Sequence, residues 1–123
     1  MPKFNFVLLY VDNPPASAKL YSDLLGRKPA ETTANFAMLP LSEGVMLGLW
    51  ARHDVAPSAI AAAGGSEVAF AVENDAAVNA TFAEWKKRGL KFAQEPTKMD
   101  FGHTFVANDP DGHRLRVFAP AAA

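Results

Sequence analysis

The sequence predicts an α+β domain built from two tandem βαβββ modules. Three observations carry that reading. A β-rich apolar run followed by a capped amphipathic stretch occurs twice, three short β-runs follow each occurrence, and a segment rich in Ala, Pro and Gly without a clear period separates the halves. The first module falls at about residues 3–51, the linker at about 52–65 and the second module at about 66–119, within one domain of residues 1–123. The repeat lies in the architecture, because residue identity between the halves is weak.

Residues 4–11 are rich in β-formers and read as a strand largely buried on both faces. Asn13 is a good N-cap, and Pro14 or Pro15 fits a first helical turn. The helix runs to about Leu25, carries Leu20, Tyr21, Leu24 and Leu25 as its core stripe, and ends at Gly26. Strands are expected over 28–33, 35–39 and 45–51, with Ser42, Glu43 and Gly44 turning the chain between the last two. The linker has room for a short helix.

In the second half a strand is expected over 66–72, and Asn74 or Asp75 caps a helix. Val78, Phe82 and Trp85 form its buried stripe at i, i+4 and i+7, and Gly89 ends it. Strands follow over 91–95, 103–107 and 114–118. The last two flank the turn Asn108-Asp109-Pro110-Asp111-Gly112. Pro110 presets φ, Asp109 and Asp111 can fold back on local amides, and Gly112 tolerates φ > 0. The hairpin places Arg114, Arg116 and Phe118 on one face and Leu115 and Val117 on the other.

Composition narrows the function classes. A chain of 123 residues, half of them hydrophobic, with a net charge of −1, reads as an ordinary soluble, cytoplasmic globular domain. No Lys/Arg run or aromatic-basic interleaving points to nucleic acid, and no apolar run is long enough for a membrane span. The first five residues do not read as a signal peptide. With no cysteine there is no disulfide, thiolate nucleophile or Cys-type zinc site. Residues 121–123, all alanine, read as a frayed end.

The order βαβββ, linker, βαβββ, with an Asp109-Pro110-Asp111-Gly112 hairpin before the last strand, resembles the vicinal oxygen chelate superfamily. That superfamily includes glyoxalase I, bleomycin-resistance proteins, fosfomycin-resistance enzymes and extradiol dioxygenases. Tyr21-Ser22-Asp23-Leu24-Leu25-Gly26, the linker position and Asn108 to Gly112 are the local anchors. Leu49-Trp50, Glu84-Trp85, Glu95-Pro96, Phe101-Gly102, Thr104-Phe105 and the run through His113 resemble its metal-free phenazine-resistance members most. The resemblance implies a glyoxalase/bleomycin-resistance fold, in which paired modules make a curved, cup-like mixed sheet around a ligand. It also implies a homodimer and an aromatic small molecule that is bound without conversion.

Metal enzymes of the superfamily carry ligands at positions that align here with Phe6, Gly48, Glu67 and Arg116. A divalent metal needs several imidazole or carboxylate groups converging on one point, and this set offers one carboxylate and one guanidinium. No metal and no cofactor is therefore expected. Glu67 and Arg116 can pair across the vacated position, or Arg116 can meet an anionic ligand. Otherwise Arg116 extends to solvent and Glu67 stands exposed at a strand start.

The histidines make a weak case for catalysis. His53 lies in the linker, His113 supports the hairpin, and His103 sits where a loop could lip the cup as a polar edge residue. No serine sits in a glycine elbow, and Gly64-Gly65 lacks the lysine of a phosphate loop. Strand parity is more informative. Met46, Gly48 and Trp50 share the face that the superfamily turns toward its ligand, and Phe6, Leu8 and Tyr10 share the matching face of the first strand. Trp50 offers a stacking surface, Met46 adapts to shape, Gly48 leaves room, and Phe36 and Phe101 close the sides.

The expected ligand-binding set is thus Trp50, Phe6, Tyr10, Met46, Gly48, Phe36, Phe101, Glu67, Arg116 and His103, with no catalytic residue. The expected function is sequestration of a planar, phenazine-like antibiotic. The alternatives are an enzyme, either metal-dependent with unusual ligands or a metal-free lyase or isomerase using His103 or Glu67, and a scaffold domain whose cup is filled.

Overall fold

Asparagine begins each helix. Asn13 Oδ1 accepts from the Ala16 N–H at 3.1 Å to open α1 (Pro14–Leu25), and Asn74 Oδ1 accepts from the Ala77 N–H at 2.9 Å to open α2 (Asp75–Lys87). Each cap satisfies an amide that has no partner inside the helix. Gly26 ends α1 at φ +66°, its N–H donating to Ser22 O. The computed structural model describes residues 1–121; Ala122 and Ala123, part of the expected frayed end, lie outside the described residues. The chain divides into two compact units, one of residues 1–61 and one beginning at Ala62.

In the first unit, β1 (Phe6–Val11), β2 (Glu31–Thr32), β3 (Phe36–Ser42) and β4 (Val45–Ala51) form a mixed sheet in the order β1-β4-β3-β2, with β1 parallel to β4. The helix is the crossover that a parallel pair requires. Its core combines Leu9, Val11, Ala18, Tyr21, Ala37, Leu39, Leu47, Leu49 and Ala51. Three expectations change here. The strand expected to be buried on both faces alternates instead, with Leu9 and Val11 buried but Phe6 and Tyr10 half-covered and Leu8 46 % exposed. The helix covers one face of the sheet and leaves the other open.

The second change concerns the stripe of α1. Its buried line is Pro14, Ser17, Ala18 and Tyr21, at i, i+3, i+4 and i+7, whereas Leu20, Leu24 and Leu25 flank it half-buried. Small Ser17 and Ala18 suit a close approach to the sheet, which leucines would hold off. Third, the strand expected over 28–33 shrinks to Glu31 and Thr32, paired with Met38 and Ala37. Pro29 has no N–H to give a ladder. The linker contributes a single 3-10 turn, Arg52–Asp54.

In the second unit, β5 (Glu67–Ala71), β6 (Lys91–Met99), β7 (Gly102–Asn108) and β8 (Arg114–Pro120) repeat the order as β5-β8-β7-β6, with β5 parallel to β8. Phe105 is fully buried among Phe82, Trp85 and Phe92, at ring-centroid distances of 5.6, 5.4 and 5.7 Å. A fully buried Phe of this kind contributes about 1.5–3 kcal/mol. The strand expected to stop at residue 95 continues to Met99, because β7 begins at Gly102 and pairs back along Lys98↔His103 and Met99↔Gly102. Gly102 adopts φ +143°, and a Cβ there would stand 2.0 Å from Ala119 O.

The β7–β8 turn forms as its residues dictate. Asp109 Oδ1 accepts from the N–H groups of Asp111 and His113, and Gly112 takes φ +94°. Among the described residues, no helix is long and apolar enough to cross a membrane.

Candidate functional site

The open face of the first sheet is a lattice of nine side chains fixed by register. Phe6, Leu8 and Tyr10 of β1 stand opposite Met46, Gly48 and Trp50 of β4, which in turn stand opposite Pro40, Met38 and Phe36 of β3. Alternation turns all nine the same way, and none carries a formal charge. Phe6, Leu8, Phe36 and Trp50 line a cavity of about 500 Å3. That volume lies within the range of small-molecule sites.

Trp50 is half-buried and its ring is held on two sides. Its edge meets Tyr10 at 6.3 Å with an interplanar angle of 82°, and its Nε1–H donates to Asp54 Oδ2 at 3.2 Å. Asp54 reaches it from the 3-10 turn that follows β4. The indole therefore keeps a fixed orientation, with its one polar atom directed to a partner and its ring left for apolar contact. Met46 shares this face beside Phe6 and Pro40. The room expected above Gly48 is taken by side chains: a Cβ there would stand 2.5 Å from Leu8 Cδ2, 3.1 Å from Phe6 Cε1 and 3.2 Å from Phe36 Cζ.

The corresponding face of the second unit is centred on an ion pair. Arg116 Nε and Nη2 donate to Glu67 Oε1 and Oε2 at 2.8 and 3.0 Å, a bidentate pair whose side chains are 19 % and 31 % exposed. Arg116 Nη1 donates to Thr104 Oγ1 at 3.1 Å and Gln94 Oε1 at 3.4 Å, and the Thr104 hydroxyl donates onward to Val117 O at 2.9 Å. The guanidinium lies 5.6 Å from the Phe101 ring, which meets Phe118 edge-on at 6.1 Å. The Arg116 hydrogen bonds hold the Glu67 carboxyl below its ordinary value of 4.5; burial pushes the other way, and the charges of Arg116 and Arg114 add to the lowering.

Arg116 thus has its charge already matched by Glu67, instead of extending to solvent. Phe101, expected to close the side of the Trp50 face, stands in the second unit against Arg116. His103 is not brought together with Arg116. It lies inside β7 next to Thr104, so alternation turns it to the helix side, where its Nε2 meets Asn79 Oδ1 at 2.9 Å. His53 is exposed in the 3-10 turn, and His113 sits beside the hairpin turn.

Phe6, Gly48, Glu67 and Arg116 do not fit a metal. Two have no side-chain donor, one is a cation, and the remaining carboxylate is already bound to that cation. Among the described residues no group of three or more His, Cys, Asp or Glu side chains is placed to hold an ion.

Leu8, Asp54, Gln94 and Thr104 belong to these faces but not to the expected site. Leu8 was readable by parity, since it stands between Phe6 and Tyr10. Thr104 shares its β7 face with Val106, the cross-strand partner of Arg116, so register leads to it as well. Asp54 lies four residues beyond Trp50 across a strand end, and Gln94 sits between two register shifts, so neither had a periodic signal.

A family model described as the Glyoxalase/Bleomycin resistance protein/Dioxygenase superfamily matches residues 3–117. The chain is similar to the phenazine antibiotic resistance protein EhpR of Enterobacter agglomerans, with 28 % identity over 116 residues that cover 92 % of this chain and 88 % of that protein. It is similar to the solution NMR structure of protein ATC0852 from Agrobacterium tumefaciens, with 53 % identity, a TM-score of 0.90 and coverage of 99 % and 100 %. A glyoxalase-related enzyme from Fulvimarina pelagi shares the fold, with a TM-score of 0.85 at 18 % identity and coverage of 100 % and 94 %.

Proposed function

The chain belongs to the glyoxalase/bleomycin resistance protein/dioxygenase superfamily, and from that premise we propose that it binds a planar aromatic small molecule, without converting it, and so confers resistance to a phenazine-like antibiotic. The observation that carries this reading is the apolar cavity of Phe6, Leu8, Phe36 and Trp50, with the indole edge tied to Asp54. A flat ring entering it gains about 0.5–1.5 kcal/mol of stacking per aromatic pair beyond the area it buries. The similarity to a phenazine resistance protein supports the choice of ligand.

The donor set supports binding over metal-assisted turnover. The positions aligned with metal ligands carry Phe6, Gly48 and an ion pair, which leave a divalent ion without the donors it needs. In this proposal the two units act as one domain within a cytoplasmic homodimer, with Tyr10 and Met46 framing the aromatic seat. In the second unit Arg116 is committed to Glu67 beside Phe101, and His103 serves the helix side.

Tryptophan fluorescence tests this reading. The chain has two tryptophans, of which Trp85 is 3 % exposed. Titration with phenazine quenches wild type saturably and Trp50→Phe only weakly, while the thermal midpoints of the two stay within a few degrees. Equal quenching in both proteins, or none in either while folded, rejects an aromatic site at Trp50.

A further inference from the structure

Gly48 is the one residue of the first open face without a side chain, and three of its neighbours lean over it. The methyl Cδ2 of Leu8, the ring atom Cε1 of Phe6 and the ring tip Cζ of Phe36 all lie within 3.2 Å of where a Cβ would stand. They arrive from two strands, β1 and β3, that flank β4 on opposite sides. Gly48 itself is buried, while Leu8 remains 46 % exposed. Leu8 therefore touches the sheet with one end and the cavity with the other.

We propose that Gly48 and Leu8 together set the ligand size that the Trp50 cavity accepts, favouring fused three-ring over single-ring aromatics. This rests on the aromatic-binding reading above. The absence of a side chain at residue 48 lets Phe6, Leu8 and Phe36 lie down against β4, which lowers the cavity floor and leaves the Trp50 ring standing as a wall. A methyl at 48 displaces the Leu8 Cδ2 end, 2.5 Å from its position, and presses the Phe6 and Phe36 rings outward by a few tenths of an ångström, toward the cavity they line. A three-ring ligand needs the full width between Phe6, Phe36 and Trp50 and loses it. A one-ring ligand uses part of that width and is less affected. Gly48 lies outside the positive-φ glycines, so alanine fits the backbone there and acts through its methyl group alone.

Pyrazine, quinoxaline and phenazine present the same two ring nitrogens on one, two and three fused rings, so affinity along the series reads ring number. Wild type binds phenazine most tightly. Gly48→Ala loses about tenfold in phenazine affinity, the effect of one overpacked methyl, while pyrazine changes little. Gly48→Ala/Leu8→Ala recovers most of the loss, because removing Cδ2 relieves the nearest contact. If Gly48→Ala does not fold, Leu8→Ala alone weakens phenazine several-fold more than pyrazine. A folded Gly48→Ala, or a Leu8→Ala, that keeps the wild-type ratio of phenazine to pyrazine affinity overturns the inference and leaves aromatic binding standing. Failure of folded wild type to bind any of the three overturns both.

Discussion

The two open sheet faces share one lattice and fill it in opposite ways. Register aligns Phe6, Leu8 and Tyr10 of β1 with Glu67, Ala69 and Ala71 of β5, and Met46, Gly48 and Trp50 of β4 with Arg114, Arg116 and Phe118 of β8. Pro40, Met38 and Phe36 correspond in turn to Asn108, Val106 and Thr104. At the lattice centre the first unit sets large Leu8 over Gly48, and the second sets Arg116 over small Ala69. Volume is traded between paired strands, so each face closes with a different chemistry. One becomes an uncharged aromatic seat and the other a hydrogen-bonded network around the Arg116–Glu67 pair. A shared backbone therefore fixes where side chains meet, and a few central residues decide what they can hold.

The comparison breaks most sharply when the centre of one face is given to the other. Gly48→Arg places a cation among Leu8, Phe6 and Phe36 with no carboxylate at residue 6, and costs about 3 kcal/mol in urea unfolding. A cost under about 1 kcal/mol would mean that the apolar face tolerates the arrangement of its counterpart.

In the second unit the converse change is Glu67→Ala, which leaves a guanidinium only 19 % exposed with neutral acceptors alone. It costs about 2 kcal/mol, less than a fully buried pair because both groups still touch solvent. The pair also sets a pH dependence. The carboxyl is held below 4.5 in the folded state, so its contribution is complete above pH 4.5 and is lost as pH falls through the lowered folded value. The stability gap between wild type and Glu67→Gln narrows across that acid range and is flat from pH 5 to 8; a gap that widens on acidification contradicts the sign.

The smallest effect sharpens the aromatic side. Asp54→Asn removes the charge from the hydrogen bond to Trp50 and lowers stability by only about 0.5 kcal/mol. Phenazine affinity falls two- to three-fold as the indole gains freedom, and the change appears in the polarity-sensitive emission of Trp50. An unaltered affinity would show that Tyr10 alone suffices to hold the ring.

Much of this architecture was legible, for physical reasons. Asparagine caps, the Gly26 stop and the Asp109 to Gly112 turn are local devices, and each formed where its chemistry placed it. Two-residue periodicity also put Trp50 with Met46 and Gly48, and Arg116 opposite Leu115 and Val117, while the family resemblance matched the Trp50 face to that of Phe6. What failed needed information from across the sheet. An apolar β1 reads alike whether its second face meets a helix or a ligand cavity, and only the position of α1 decides. The value of Gly48 likewise lies in what neighbouring strands lay over it. For His103 the signal was local, because it shares the parity of buried Phe105 and Ala107, which turns it to the helix side.

The two register shifts in β6 have a meaning beyond ligand contacts. Phe92 pairs with Ala107 and Gln94 with Val106, and then Thr97 pairs with Thr104, so each interval spends one more residue on β6 than on β7. The strand is nine residues long, stands at the end of its sheet, and has Pro96 near its middle and Lys91 and Lys98 toward its ends. A straight border of that length would offer a foreign chain an unbroken row of amides and carbonyls to zip onto. Irregular at two places and interrupted by an imino acid, it presents no such row, and the same irregularities that bring Gln94 to Arg116 make this border a poor template for strand addition.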